Sequence, residues 1–179
     1  MLTKILVALV LLAALLSMIV ASRPDEFHVT RSAVMTAAPS AVFEQVNDLR
    51  NWKKWSPWAK LDPSAKETFE GPFSGAGASF HWAGNSQVGE GKMTITESQQ
   101  ASLVRFRLEF LKPFAATNFA EFTFKPEGNQ TVVTWNMSGK SNFMGKAMSL
   151  ILNCDKMVGS QFETGLAQMK SVVERGTAP

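Results

Sequence analysis

The chain has one cysteine, Cys154, and two histidines, His28 and His81. A lone cysteine excludes an intramolecular disulfide and a thiolate metal cluster within one chain, and two distant imidazoles exclude a histidine-rich metal site. There is no block of Lys and Arg: 18 basic against 15 acidic residues leave a formal charge of +3, so no segment would track a nucleic-acid backbone. The stretch from Gly71 to Gly77 lacks the Lys-Ser or Lys-Thr ending and the strand-to-helix setting of a phosphate-binding loop, and reads as a flexible hairpin. Internal repeats and low-complexity segments are missing as well. The expectation is a protein without metal or cofactor and without a nucleic-acid partner.

What is present is apolar. Hydrophobic residues make up 45% of the 179, with 13 Phe, 9 Met and 5 Trp, enough for the core of one domain. Part of that share is a run from Ile5 to Ala21 in which only Ser17 is markedly polar. As a helix the run approaches the thickness of a bilayer core, about 30 Å, and Lys4 precedes it as in a signal peptide or signal anchor. Residues 1–24 are therefore expected to be a membrane anchor or a cleaved signal, followed by a ligand-binding domain over residues 25–176. Because the run begins almost at residue 1, the domain is expected outside the cytoplasm, tethered on the periplasmic or cell-surface side, or secreted if the segment is removed.

After Pro24, Val29, Ala33 and Met35 alternate as in an opening strand. Pro39 suits the first turn of a short helix through Val42, Phe43 and Val46. The segment from Trp52 to Trp58 sets three indoles at intervals of three, one aromatic ridge, with Pro57 ending a second helical turn or two. Strand-sized pieces follow at about 65–70, 78–83, 87–97, 102–110, 117–125 and 130–138, joined closely enough for antiparallel hairpins. Val104, Phe106, Leu108 and Phe110 alternate with charged residues, so one face is dry and the other wet. Ala120, Phe122 and Phe124, then Val133, Trp135 and Met137, extend that dry face. A long helix is expected from about Met144 to Glu174, with Met148, Ile151, Leu152, Val158, Phe162, Leu166, Met169 and Val172 on its apolar stripe. Gly145, Gly159 and Gly165 weaken it by roughly 1 kcal/mol each, so close packing, a bend or a cavity wall is expected to compensate.

In this order several strings resemble the polyketide cyclase/dehydrase and lipid-transport family of the START-related, birch-pollen-allergen-like fold: Met35 to Pro39 with Val42-Phe43, the Trp-Ser-Pro-Trp ending at Trp58, Gly71-Pro72, Trp82 with Gly84-Asn85, Gly89-Glu90-Gly91, Thr134-Trp135 and Phe162-Glu163. The resemblance implies an α+β helix-grip: a seven-stranded antiparallel sheet curled around a long C-terminal helix, two short helices after the first strand, and a cavity between sheet and helix. It implies no reaction, since no catalytic signature transfers to these residues.

With such a cavity, Trp55 and Trp58 are candidates for its mouth, and Trp82, Phe106, Phe110, Trp135, Met137 and Phe162 for its lining, against the alternative of a filled core. The partner expected is a lipid or another apolar small molecule, bound noncovalently. An enzyme reading, a cyclase or dehydratase acting on an aromatic or ketide-like substrate, has only His81, Glu90 and Asp155 as proton-transfer candidates, and parity turns the first two toward solvent. Asp155 interrupts the apolar stripe, which demands a partner, a polar corner of the cavity or a surface position. Cys154 reads as a buried, inert thiol. A membrane-tethered protein-interaction domain is the third class.

Overall fold

The computed structural model describes residues 1–141, 143–150 and 153–176, the side chains of Met144 and Cys154 excepted. Ile151, Leu152 and the Cys154 thiol thus lie outside the described residues.

The apolar run forms α1 (Leu2–Ala21), a helix of 20 residues whose most apolar stretch is only 6% buried. By length and composition it is able to cross a membrane, and its single buried side chain is Val20 near its end. β1 (Glu26–Met35) follows, then α2 (Pro39–Asn47), a 3₁₀ helix at Leu49–Lys54 and α3 (Pro57–Leu61). Pro57 opens α3 instead of closing a helix, because at N1 its missing N–H costs nothing. The expected pair of short helices is thus three short pieces. Val42, Phe43 and Val46 bury one stripe of α2 as their spacing requires.

Six more strands complete the sheet: β2 (Lys66–Glu70), β3 (Ser79–Ala83), β4 (Glu90–Gln99), β5 (Leu103–Lys112), β6 (Ala116–Glu127) and β7 (Gln130–Lys140). Their order is β1-β7-β6-β5-β4-β3-β2, with every neighbouring pair antiparallel. Period-two alternation turns Val104 and Phe106 of β5, Ala120, Phe122 and Phe124 of β6, and Val133, Trp135 and Met137 of β7 into one buried face.

The expected single helix over 144–174 is instead α4 (Phe143–Met148) and α5 (Cys154–Gly176). Met148 consequently leaves the apolar stripe and is 42% exposed, while Phe162, Leu166, Met169 and Val173 of α5 lie in the core. Two of the glycines do the expected work. A Cβ at Gly165 would stand 3.0 Å from the Trp135 ring and 3.2 Å from Pro57, so its absence lets α5 approach β7 and α3. At Gly159 a Cβ would stand 2.0 Å from the Arg31 guanidinium, which crosses the helix there.

Candidate ligand cavity

A cavity of about 370 Å³ lies between the concave face of the sheet, the short helices and α5. It falls at the small end of the range of roughly 300–1,000 Å³ usual for small-molecule sites. Trp58, Trp82, Phe110, Trp135, Met137 and Phe162 line it. Trp55 and Phe106, two further candidates, do not: they stand one layer behind the wall. Trp55 donates its indole N–H to the Gln45 carbonyl at 2.9 Å and packs edge-on against Trp135, while Phe106 lies beneath Trp52.

Trp52, Phe69, Phe80, Met93, Leu108 and Val158, none of them among the lining candidates of the sequence, also contribute to the wall. Leu108 had the correct parity on β5, and Phe80 shares the face of Trp82, so alternation alone was able to point to both. Trp52 belongs to the ridge of three indoles, but which of them reach the cavity depends on the break between the 3₁₀ helix and α3.

One wall is an aromatic stack. Trp135 lies flat on Phe162 with ring centroids 3.9 Å apart and planes 7° apart, and on its other side stacks on Phe122 at 4.7 Å. Trp52, Trp55 and Trp58 meet it edge-on at 5.6 to 6.1 Å. The Trp135 indole nitrogen is buried without an acceptor among the described residues. Trp82 donates to the Val88 carbonyl at 3.2 Å and covers Gly91, where a Cβ would come 2.5 Å from its ring.

Each charged group of the lining is engaged by another protein group. Arg50 forks onto Asp48, Lys53 meets Glu67 at 2.8 Å, and Lys112 meets Glu90 at 2.7 Å. Asp62 accepts from the Ser64 hydroxyl at 2.7 Å and from the Asn85 N–H at 2.7 Å, and these bonds hold its carboxyl below the ordinary range. The Lys112 ammonium does the same to Glu90. What remains toward the space is mostly hydrocarbon and aromatic ring.

His81 and Glu90, 3.9 Å apart, project from β3 and β4 outside the cavity lining. Asp155 is on α5 beside the opposite edge strand, where Arg31 of β1 donates to both its carboxylate oxygens at 3.0 and 3.1 Å. Arg31 lowers the Asp155 pKa, and its own is raised by Asp155 and then by Glu163. The three proton-transfer candidates do not converge on one point. Among the described residues no group of three or more His, Cys, Asp or Glu is arranged to hold a metal ion.

The sequence profile of one family, polyketide cyclase/dehydrase and lipid transport, matches residues 26–174, the whole sheet and nearly all of α5. The chain belongs to that family. No curated protein matches it. Among solved structures, protein MLL2253 from Mesorhizobium loti superposes with a TM-score of 0.60 at 13% identity, over 86% of this chain and 100% of the other. Ara h 8.0201 does so with 0.59 at 8% identity, over 84% of this chain and 99% of the other. DynU16, a putative protein in the dynemicin biosynthetic locus, gives 0.57 at 16% identity, over 86% of this chain and 49% of the other. At such identities the likeness establishes the fold, the helix-grip, and no more. Family and fold are consistent with a hydrophobic ligand-binding or cyclase-like domain.

Proposed function

We propose that residues 25–176 bind one apolar molecule noncovalently, a single-chain lipid or a fused-ring compound, and that residues 1–24 hold this domain at a membrane. One observation carries the ligand reading: the wall is mostly apolar, and the charged residues of the lining are already bonded to protein partners. A guest that brings hydrocarbon gains from leaving water, roughly 25 cal/mol per Å² of apolar surface covered, and asks for no polar anchor deep inside. Trp58, Trp82, Phe110, Trp135, Met137 and Phe162 would contact it. The volume suits one acyl chain or ring system better than a whole two-chain lipid.

The anchor reading draws on α1, a helix of 20 residues that exposes nearly all of its apolar surface. Water is a poor surrounding for that surface, and at about 1.5 Å per residue it spans roughly 30 Å, the thickness of a bilayer core. Lys4 ahead of the run suits a signal peptide or a signal anchor.

Native mass spectrometry of the chain released gently from membranes, followed by organic extraction, tests the ligand reading. A bound apolar mass and a thermal shift with single-chain fatty acids or fused-ring compounds are expected. No bound mass and no shift across such a panel would remove it.

A further inference from the structure

We infer that the end of the domain carrying the cavity rim is seated on the bilayer that holds α1, so that the apolar guest passes between membrane and cavity without crossing bulk water. This rests on the readings of α1 as an anchor and of the cavity as an apolar site, and adds to them an orientation and a contact surface.

Strand pairing defines that end. Glu26 at the start of β1 is opposite Lys140 at the end of β7, Phe110 near the end of β5 is opposite Ala116 at the start of β6, and Ala83 at the end of β3 is opposite Glu90 at the start of β4. Where the chain leaves α1, it is therefore at the same end as the β3–β4 and β5–β6 loops. Those loops supply Val88, Gly89 and Pro113 to the cavity rim.

The junction is short and fixed. Only residues 22–25 separate α1 from β1, a reach of at most about 14 Å. Asp25 is tied on both sides: its carboxylate pairs with Lys146 of α4, and its carbonyl accepts the Ser141 N–H at 2.7 Å. With α1 in a bilayer, this end of the sheet has no room to stand away from the surface.

The same end exposes several apolar side chains beside the polar Asp25 and Glu26. Leu111 near the end of β5 and Phe114 in the β5–β6 turn are 51% and 68% exposed, and Phe143, Met148 and Leu150 on and after α4 are 58%, 42% and 37% exposed. Lys66 and Lys140 stand at strand ends here, which suits anionic headgroups around inserted hydrocarbon. Phe73, 80% exposed on the β2–β3 loop at the opposite end, lies under the Arg50 guanidinium and serves as a control position.

The test uses the unsubstituted full chain in phosphatidylcholine–phosphatidylglycerol vesicles doped with a lipid carrying a photoactivatable group in its acyl chain. Irradiation and peptide mapping are expected to find adducts on α1 and, several-fold above residues 71–77, on residues 111–115 and 143–150, unchanged when protein is diluted in lipid. Adducts confined to α1, or adducts on 111–115 whose yield changes with protein density, would overturn the seating. Release of the chain by an alkaline wash would mean that α1 is no anchor, and the seating falls with it. Adducts at the rim with no apolar mass ever bound would leave the seating standing and overturn the passage of a guest.

Discussion

Trp135 and Phe162 lie face to face, 3.9 Å between ring centroids and 7° between planes, and this pair joins the last strand to the C-terminal helix at the cavity wall. With Phe122 on its other face, Trp135 is 3% exposed and leaves little room for neighbours to collapse if it is cut away. Trp135→Ala is expected to cost about 3–5 kcal/mol in urea unfolding. Trp135→Phe should cost less than half of that, because the indole N–H has no acceptor among the described residues to lose. Equal costs for the two would show that the stack does not hold the wall.

Arg31 takes the space that a side chain at residue 159 would need. Alanine in a helix is favoured over glycine by roughly 1 kcal/mol, but here the new Cβ displaces the guanidinium from Asp155 and Glu163. Gly159→Ala is expected to destabilise the wild type and, in an Arg31→Ala background, to stabilise by up to about 1 kcal/mol. A double-mutant cycle on unfolding free energies checks the reversal of sign.

That contact also shows where the sequence was readable. Strand alternation and helical spacing described the dry face from Val104 to Met137 and the inward side of α5, because burial on one face imposes its period on the residues. Asp155, interrupting the apolar stripe, left a partner, a polar corner of the cavity and a surface position open; it is exposed and pairs with Arg31, which shares the parity of Val29 and Ala33, and neither residue names the other until the fold brings β1 beside α5. The break between α4 and α5 and the retreat of Trp55 and Phe106 behind the wall were not legible. Both depend on how the short helices and α5 settle on the sheet, and a large inward residue has the same pattern whether it faces a neighbour or a space.

Acid should weaken the domain. Asp155, Glu90, Glu70 and Asp25 are held below their ordinary pKa by Arg31, Lys112, Lys92 and Lys146 respectively. A carboxyl with a depressed folded-state pKa contributes stability above its unfolded value, about pH 4, and loses it as pH falls through the folded value. Unfolding free energy is expected to drop below about pH 4, with a shallower slope for Asp155→Asn.

Thr131 is fully buried and its hydroxyl donates to the Ala37 carbonyl at 2.7 Å, tying β7 to the turn after β1. Thr131→Val keeps the shape and strips that carbonyl of a donor, so a cost of about 1–3 kcal/mol is expected from thermal or urea unfolding.

The claim that the cavity holds an apolar guest is tested most directly by Leu108→Trp. Leu108 is half-buried on the wall, and an indole there projects into open space instead of packed neighbours. Native mass spectrometry of wild type and variant, both released from membranes under the same conditions, reads occupancy directly. The account predicts an apolar mass on the wild type that is lost from Leu108→Trp, while stability without ligand changes by less than about 1.5 kcal/mol. The same mass bound equally to both would contradict it.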